Sequence, residues 1–136
     1  MDEGNSSKDS KLNYIILIVD DNEENRLLMS IYLKKSPYKY EFAQNGEIAF
    51  EKIKNKKYDL ILMDVQMPIM DGLIATREIR KWEAAEKKEP VPIIALTAND
   101  LQERGGETLK AGCTAHVTKP IKKDDFLKEI QKYIKN

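Results

Sequence analysis

Three unbroken apolar runs constrain this chain most: Tyr14-Ile-Ile-Leu-Ile-Val19, Leu60-Ile-Leu-Met63 and Ile93-Ile-Ala-Leu96. A strand with one wet face alternates apolar and polar residues, so unbroken runs fit strands buried on both faces of a parallel sheet. Parallel neighbours need long crossovers, and amphipathic stretches between the runs supply them. Residues 22–35 carry Leu27, Leu28, Ile31 and Tyr32 at helical spacing, and Pro37 ends that helix. Residues 38–42 read as a short, more polar strand suited to an edge. A helix over 45–55 is expected to bury Ile48, Ala49 and Ile53. Asp71 is placed to cap a third helix that runs to residue 87. Val117-Thr118 reads as a fifth strand, and a last helix from Lys123 carries Phe126, Leu127, Ile130, Tyr133 and Ile134 on one face. A fourth helix over 101–110 is predicted despite Gly105 and Gly106, which cost about 1 kcal/mol each relative to alanine.

Five strands alternating with five helices predict an α/β fold: a doubly wound five-stranded parallel sheet covered on both faces. Two strand orders suit that count, and the edge-like second strand favours the flavodoxin-like order 2-1-3-4-5. A length of 136 residues allows one domain, read as residues 12–136. Residues 1–11 are polar and acidic at their start, which suits a disordered lead-in and not a signal peptide. Lysine plus arginine and aspartate plus glutamate each total 23, so no net field draws the chain to nucleic acid or to a membrane surface. The lysines at 52, 54, 56 and 57 form a solvated run without stacking aromatics or a groove-reading helix. Every apolar run is too short to cross a bilayer. The lone Cys113 excludes an internal disulfide, fits a reducing cytoplasm, and is expected to be a small packed residue.

Open α/β sheets bind ligands outside the carboxyl ends of their strands. The first strand runs into Asp20 and Asp21, the third into Asp64, the fourth into Thr97, and Lys119 follows the fifth. Asp20 and Asp21 alone would be read as acids complementing a helix dipole, and Asp64 alone as a loop-initiating aspartate. Four strand ends converging on three carboxylates, a hydroxyl and an ammonium argue for a site. Crowded carboxylates repel unless a cation joins them, and magnesium takes one or two carboxylates while reserving positions for phosphate oxygens. Lys119 is a compact point charge for a phosphoryl group, and Thr97 is a hydroxyl donor. The set is equipment for forming an aspartyl phosphate.

Ile18-Val-Asp-Asp-Asn22, Leu62-Met-Asp-Val-Gln-Met-Pro68, Met70-Asp-Gly72, Ala95-Leu-Thr-Ala-Asn99, Ala111-Gly-Cys113 and Thr118-Lys-Pro120 together resemble the receiver domain of two-component response regulators. The wording of Asp20-Asp-Asn-Glu-Glu-Asn-Arg26 and of Ala95-Leu-Thr-Ala-Asn99 is most like receivers of hybrid histidine kinases. The resemblance implies that Asp64 is the phosphoacceptor, supplied by a phosphohistidine on a histidine kinase or a histidine phosphotransfer protein. It implies Mg2+ (or Mn2+) held by the side chains of Asp21 and Asp64, by the backbone carbonyl of Gln66, and by Asp20 mainly through water. Thr97 and Lys119 would bind phosphoryl oxygens, Ala98 would leave room for the group, and the Lys119–Pro120 bond would be cis. Phosphorylation would draw Thr97 toward the phosphate while an aromatic side chain turns inward, changing the surface of the fourth helix, fifth strand and fifth helix that a downstream target would meet.

His116 departs from the family, which has tyrosine or phenylalanine as the switch aromatic. It is either a partly exposed histidine without a role or an imidazole switch sensitive to pH near neutrality. Gln66 and Asn99 are either solvated loop residues or neighbours of the attacking water that set the phosphoryl lifetime. A phosphohydrolase working through an aspartyl phosphate would need a general acid where Gln66 stands. An FMN carrier would need a phosphate-cradling loop where the acidic run begins at Asp20. The expected role is therefore a signalling switch and not an enzyme with a separate substrate, either standing alone or within a hybrid kinase.

Overall fold

The computed structural model describes residues 14–65, 71–97 and 102–134. Its elements, in order, are β1 (Ile15–Val19), α1 (Glu23–Leu33), β2 (Lys39–Ala43), α2 (Gly46–Asn55), β3 (Leu60–Asp64), α3 (Gly72–Glu86), β4 (Ile93–Thr97), α4 (Gln102–Ala111), β5 (Ala115–Thr118) and α5 (Lys123–Tyr133). All neighbouring strands are parallel, in the order β2-β1-β3-β4-β5, as the sequence predicts. The predicted lead-in over residues 1–11 lies outside the described residues.

The unbroken runs are buried on both faces, as their lack of alternation requires. Leu17, Val19, Ile61, Met63, Ile93 and Ala95 pack with Ala49 and Ile53 of α2, Ala75 and Ile79 of α3, and Ala111 of α4. Ile16, Ile18, Leu60, Leu62, Ile94 and Leu96 pack on the other face with Met29 and Leu33 of α1 and Phe126 and Ile130 of α5. Cys113 is buried in the first layer, which matches its reading as a packed residue. Burial raises its thiol pKa above the ordinary value, against smaller lowering by Thr76 and Arg80.

Side-chain caps set the helix starts. Asn22 accepts from the amide of Asn25, Asn45 from that of Ile48, and Asp71 from those of Leu73 and Ile74. The helix α4 forms despite its glycines because Thr108 and Ala111 are buried, Ala111 in the core layer on the sheet, so packing outweighs propensity.

The structure settles which face of α1 turns inward and corrects one expected burial in α2. Leu27, Leu28 and Ile31 of α1 are 60%, 42% and 54% exposed, because α1 turns Met29 and Leu33 to the sheet instead. Ile48 of α2 is exposed, while Ala49 and Ile53 are buried as expected.

Candidate active site at the strand ends

The carboxyl ends of β1, β3, β4 and β5 bring their polar residues to one edge of the sheet. Asp20 follows β1 directly and is fully buried, with its amide bonded to the Ala43 carbonyl of β2 at 3.0 Å. Its Oδ1 accepts from the Asn22 amide at 2.9 Å, and the Arg26 guanidinium donates to its carbonyl oxygen at 2.8 Å. Asp21 is exposed beside it. Asp64 is the last residue of β3 and is 3% exposed. Oxygens of Asp20, Asp21 and Asp64 lie within 4.8 Å of one another.

Lys119 leans into this cluster from the end of β5. Its Nζ is 3.1 Å from Asp64 Oδ1 and 3.8 Å from Asp20 Oδ2. Its amide donates to the Thr97 carbonyl at 2.7 Å, and the Lys119–Pro120 bond is cis, as the resemblance implied. Thr97 is buried at the end of β4, and its hydroxyl reaches the Val117 carbonyl at 3.5 Å, the outer limit of a hydrogen bond. Thr97 pairs in register with Thr118, and His116 with Ala95. His116 is half-buried.

The donor set suits a divalent cation. Asp20 Oδ2 is buried and has no hydrogen-bond partner among the described residues, with Lys119 beyond hydrogen-bond distance. A buried carboxylate oxygen left this way costs free energy, and a hard cation shared with Asp21 and Asp64 would satisfy it. Asp20, Asp21, Asp64 and Lys119 thus come together, and Thr97 ends the neighbouring strand β4 with its hydroxyl toward Val117. Gln66, Ala98 and Asn99 lie outside the described residues.

Sequence reasoning missed the contacts of three supporting groups. Arg26 holds the Asp20 carbonyl, one α-helical turn and more away from it in sequence. Tyr32 of α1 donates to the Ile121 carbonyl just beyond Lys119, a contact across 89 positions that no local pattern signals. Gly72 opens α3 against the end of β3, where an added Cβ would lie 2.2 Å from the Asp64 carbonyl oxygen. Only glycine permits that approach, and its position straight after a capping aspartate was a usable signal.

A family model described as the response regulator receiver domain matches residues 16–131. Among curated proteins, the chain is 42% identical over 120 residues to hybrid signal transduction histidine kinase G of Dictyostelium discoideum, covering 87% of this chain and 3% of that protein. The chain therefore corresponds to a small part of that relative. Among solved structures, the receiver domain of the response regulator Ssk1, co-crystallised with the histidine phosphotransfer protein Ypd1 of Saccharomyces cerevisiae, has 32% identity and a TM-score of 0.86, covering 90% of this chain and 89% of that one. The receiver domain of a Pseudomonas aeruginosa sensor histidine kinase, with a magnesium ion coordinated in its active-site cleft, has 36% identity and a TM-score of 0.81 over 91% of this chain and 99% of that one.

Proposed function

The chain belongs to the response regulator receiver domain family, and from that premise we propose that it is the phosphoacceptor of a two-component phosphorelay, with Asp64 as the accepting residue. The observation that carries this reading is the shared cluster of Asp20, Asp21 and Asp64 with Lys119 3.1 Å from Asp64 Oδ1. The donor is a phosphohistidine, carried by a histidine kinase or a histidine phosphotransfer protein of the kind the Ssk1 receiver was crystallised with.

An oxygen of the Asp64 carboxylate attacks phosphorus, the P–N bond to the donor imidazole breaks, and the electron pair returns to the ring nitrogen. The nucleophile starts as a carboxylate, so no base has to remove a proton from it. Mg2+ (or Mn2+), held by Asp21 and Asp64 side chains and the Gln66 carbonyl, with Asp20 acting mainly through water, would neutralise charge on the phosphoryl oxygens. Lys119 pairs with a phosphoryl oxygen as a point charge. The Thr97 hydroxyl, weakly held by Val117, turns to another. Moving Thr97 away from β5 loosens the strand that carries His116, and we assign the switch to Thr97 and His116. The phosphoryl group shifts the surface of α4, β5 and α5 only as far as it contacts the active conformer better than the resting one.

The chain acts on no separate substrate in this reading and promotes only its own phosphorylation and dephosphorylation. No helix among the described residues is long and apolar enough to cross a membrane. The phosphorelay role and the single buried Cys113 support a cytoplasmic location. Exposure to a small acyl phosphate with Mg2+ tests the reading. Intact mass should rise by one phosphoryl group in the wild-type chain and stay unchanged in Asp64→Asn. Equal labelling of both would overturn it.

A further inference from the structure

Lys119 approaches Asp64 from a short connection between β5 and α5, and that connection is held at two points. On the sheet side, the Lys119 amide donates to the Thr97 carbonyl at 2.7 Å. Beyond it, Pro120 has no amide hydrogen to give. The next anchor comes from a different element: the Tyr32 hydroxyl of α1 donates to the Ile121 carbonyl at 2.9 Å. The Tyr32 ring packs on Phe126 of α5 with centroids 5.3 Å apart. Ring packing alone would be served equally by phenylalanine, so the hydroxyl adds something the core does not require. What it adds is a fixed point two residues after Lys119.

We infer that the Tyr32 hydroxyl is a positioning group for Lys119, setting how fast Asp64 accepts a phosphoryl group. The inference rests on the reading that Lys119 pairs with the phosphoryl oxygens. A lysine side chain is long and flexible, and a point charge helps transfer only while its Nζ stays near the reacting oxygens. Releasing the Ile121 carbonyl lets the connection drift and takes the ammonium with it. The carboxylates arrive from the ends of β1 and β3, outside this connection.

The test is a cycle of Tyr32→Phe and Lys119→Ala in the full 136-residue chain, labelled with a small acyl phosphate and Mg2+. Tyr32→Phe should slow labelling about threefold to tenfold, the range for one lost hydrogen bond, while Mg2+ affinity stays at the wild-type value. In the Lys119→Ala background it should slow labelling no further, because the group it acts through is gone. The 13Cε signal of Lys119 should also shift in Tyr32→Phe, which serves where Lys119→Ala reacts too slowly to time. A wild-type rate in Tyr32→Phe, an unmoved Lys119 signal, or equal slowing in both backgrounds would overturn the inference and leave Asp64 as acceptor. No labelling of the wild-type chain would overturn the phosphoacceptor reading and this inference with it.

Discussion

The two edges of the sheet bury the same kind of residue and treat it in opposite ways. At the amino-terminal edge, Glu83 of α3 is 4% exposed and both its oxygens are occupied. Oε1 accepts from the Arg80 guanidinium at 2.8 Å and Oε2 from the Val91 amide at 2.9 Å. Arg80 also donates to the Gly112 carbonyl at 2.9 Å, so the pair ties α3 to the start of β4 and to the turn before β5. At the carboxyl-terminal edge, Asp20 is fully buried, yet its Oδ2 has no hydrogen-bond partner among the described residues; two further carboxylates crowd it and the Lys119 ammonium stands off at 3.8 Å. A buried charge whose bonds are all made is a brace. One left short of bonds among like charges marks a place where something else binds.

That contrast predicts effects of opposite sign. The largest is at the brace: Glu83→Ala leaves Arg80 half-buried without its anion and should cost about 2–4 kcal/mol in denaturant unfolding. A loss below about 0.5 kcal/mol would show that the bonds at this edge contribute little. At the site, Asp20→Asn removes one of the crowded charges. Without divalent cation it should stabilise the fold by about 1 kcal/mol while weakening cation binding, as expected where function costs stability. Destabilisation there would make Asp20 a brace like Glu83 and break the comparison.

The smallest effects lie on the rim of the amino-terminal edge, where Glu41 of β2 pairs with Lys56 and accepts from the Tyr58 hydroxyl at 2.6 Å. The Lys56 bond, then the Tyr58 bond, lowers the Glu41 pKa below 4.5. Its contribution is therefore present above that value and is lost as pH falls through the folded-state pKa. Burial, then the bond to Glu41, raises the Tyr58 pKa above 10, so its contribution is lost as pH rises beyond that value. Tyr58→Phe should flatten the alkaline arm of the stability profile by less than about 1 kcal/mol. An unchanged arm in that variant would remove Tyr58 from the ledger of this edge.

The site was legible in the sequence because each of its groups stands at the end of a distinct strand, and strand ends are visible as the points where apolar runs stop. Asp20, Asp64 and Thr97 follow from this rule and from no contact information. The brace was less legible: Arg80 and Glu83 are three apart on one helix, a spacing that permits a pair without requiring one. Which face of α1 meets the sheet was not legible at all. Leu27 and Ile31 share one stripe, Met29 and Leu33 another, and periodicity groups residues without saying which group goes inward. Tyr32 acts through tertiary approach to the Ile121 carbonyl, which a linear pattern does not encode.

The central claim is that Asp20, Asp21 and Asp64 share one divalent ion, and Mn2+ titration of the 15N-labelled chain tests it most directly. Amide signals at the ends of β1 and β3 should broaden first, those near Glu83 should stay sharp, and Asp64→Asn should weaken the effect by at least about tenfold. Broadening spread evenly over the acidic surface, or unaltered in Asp64→Asn, would contradict the account.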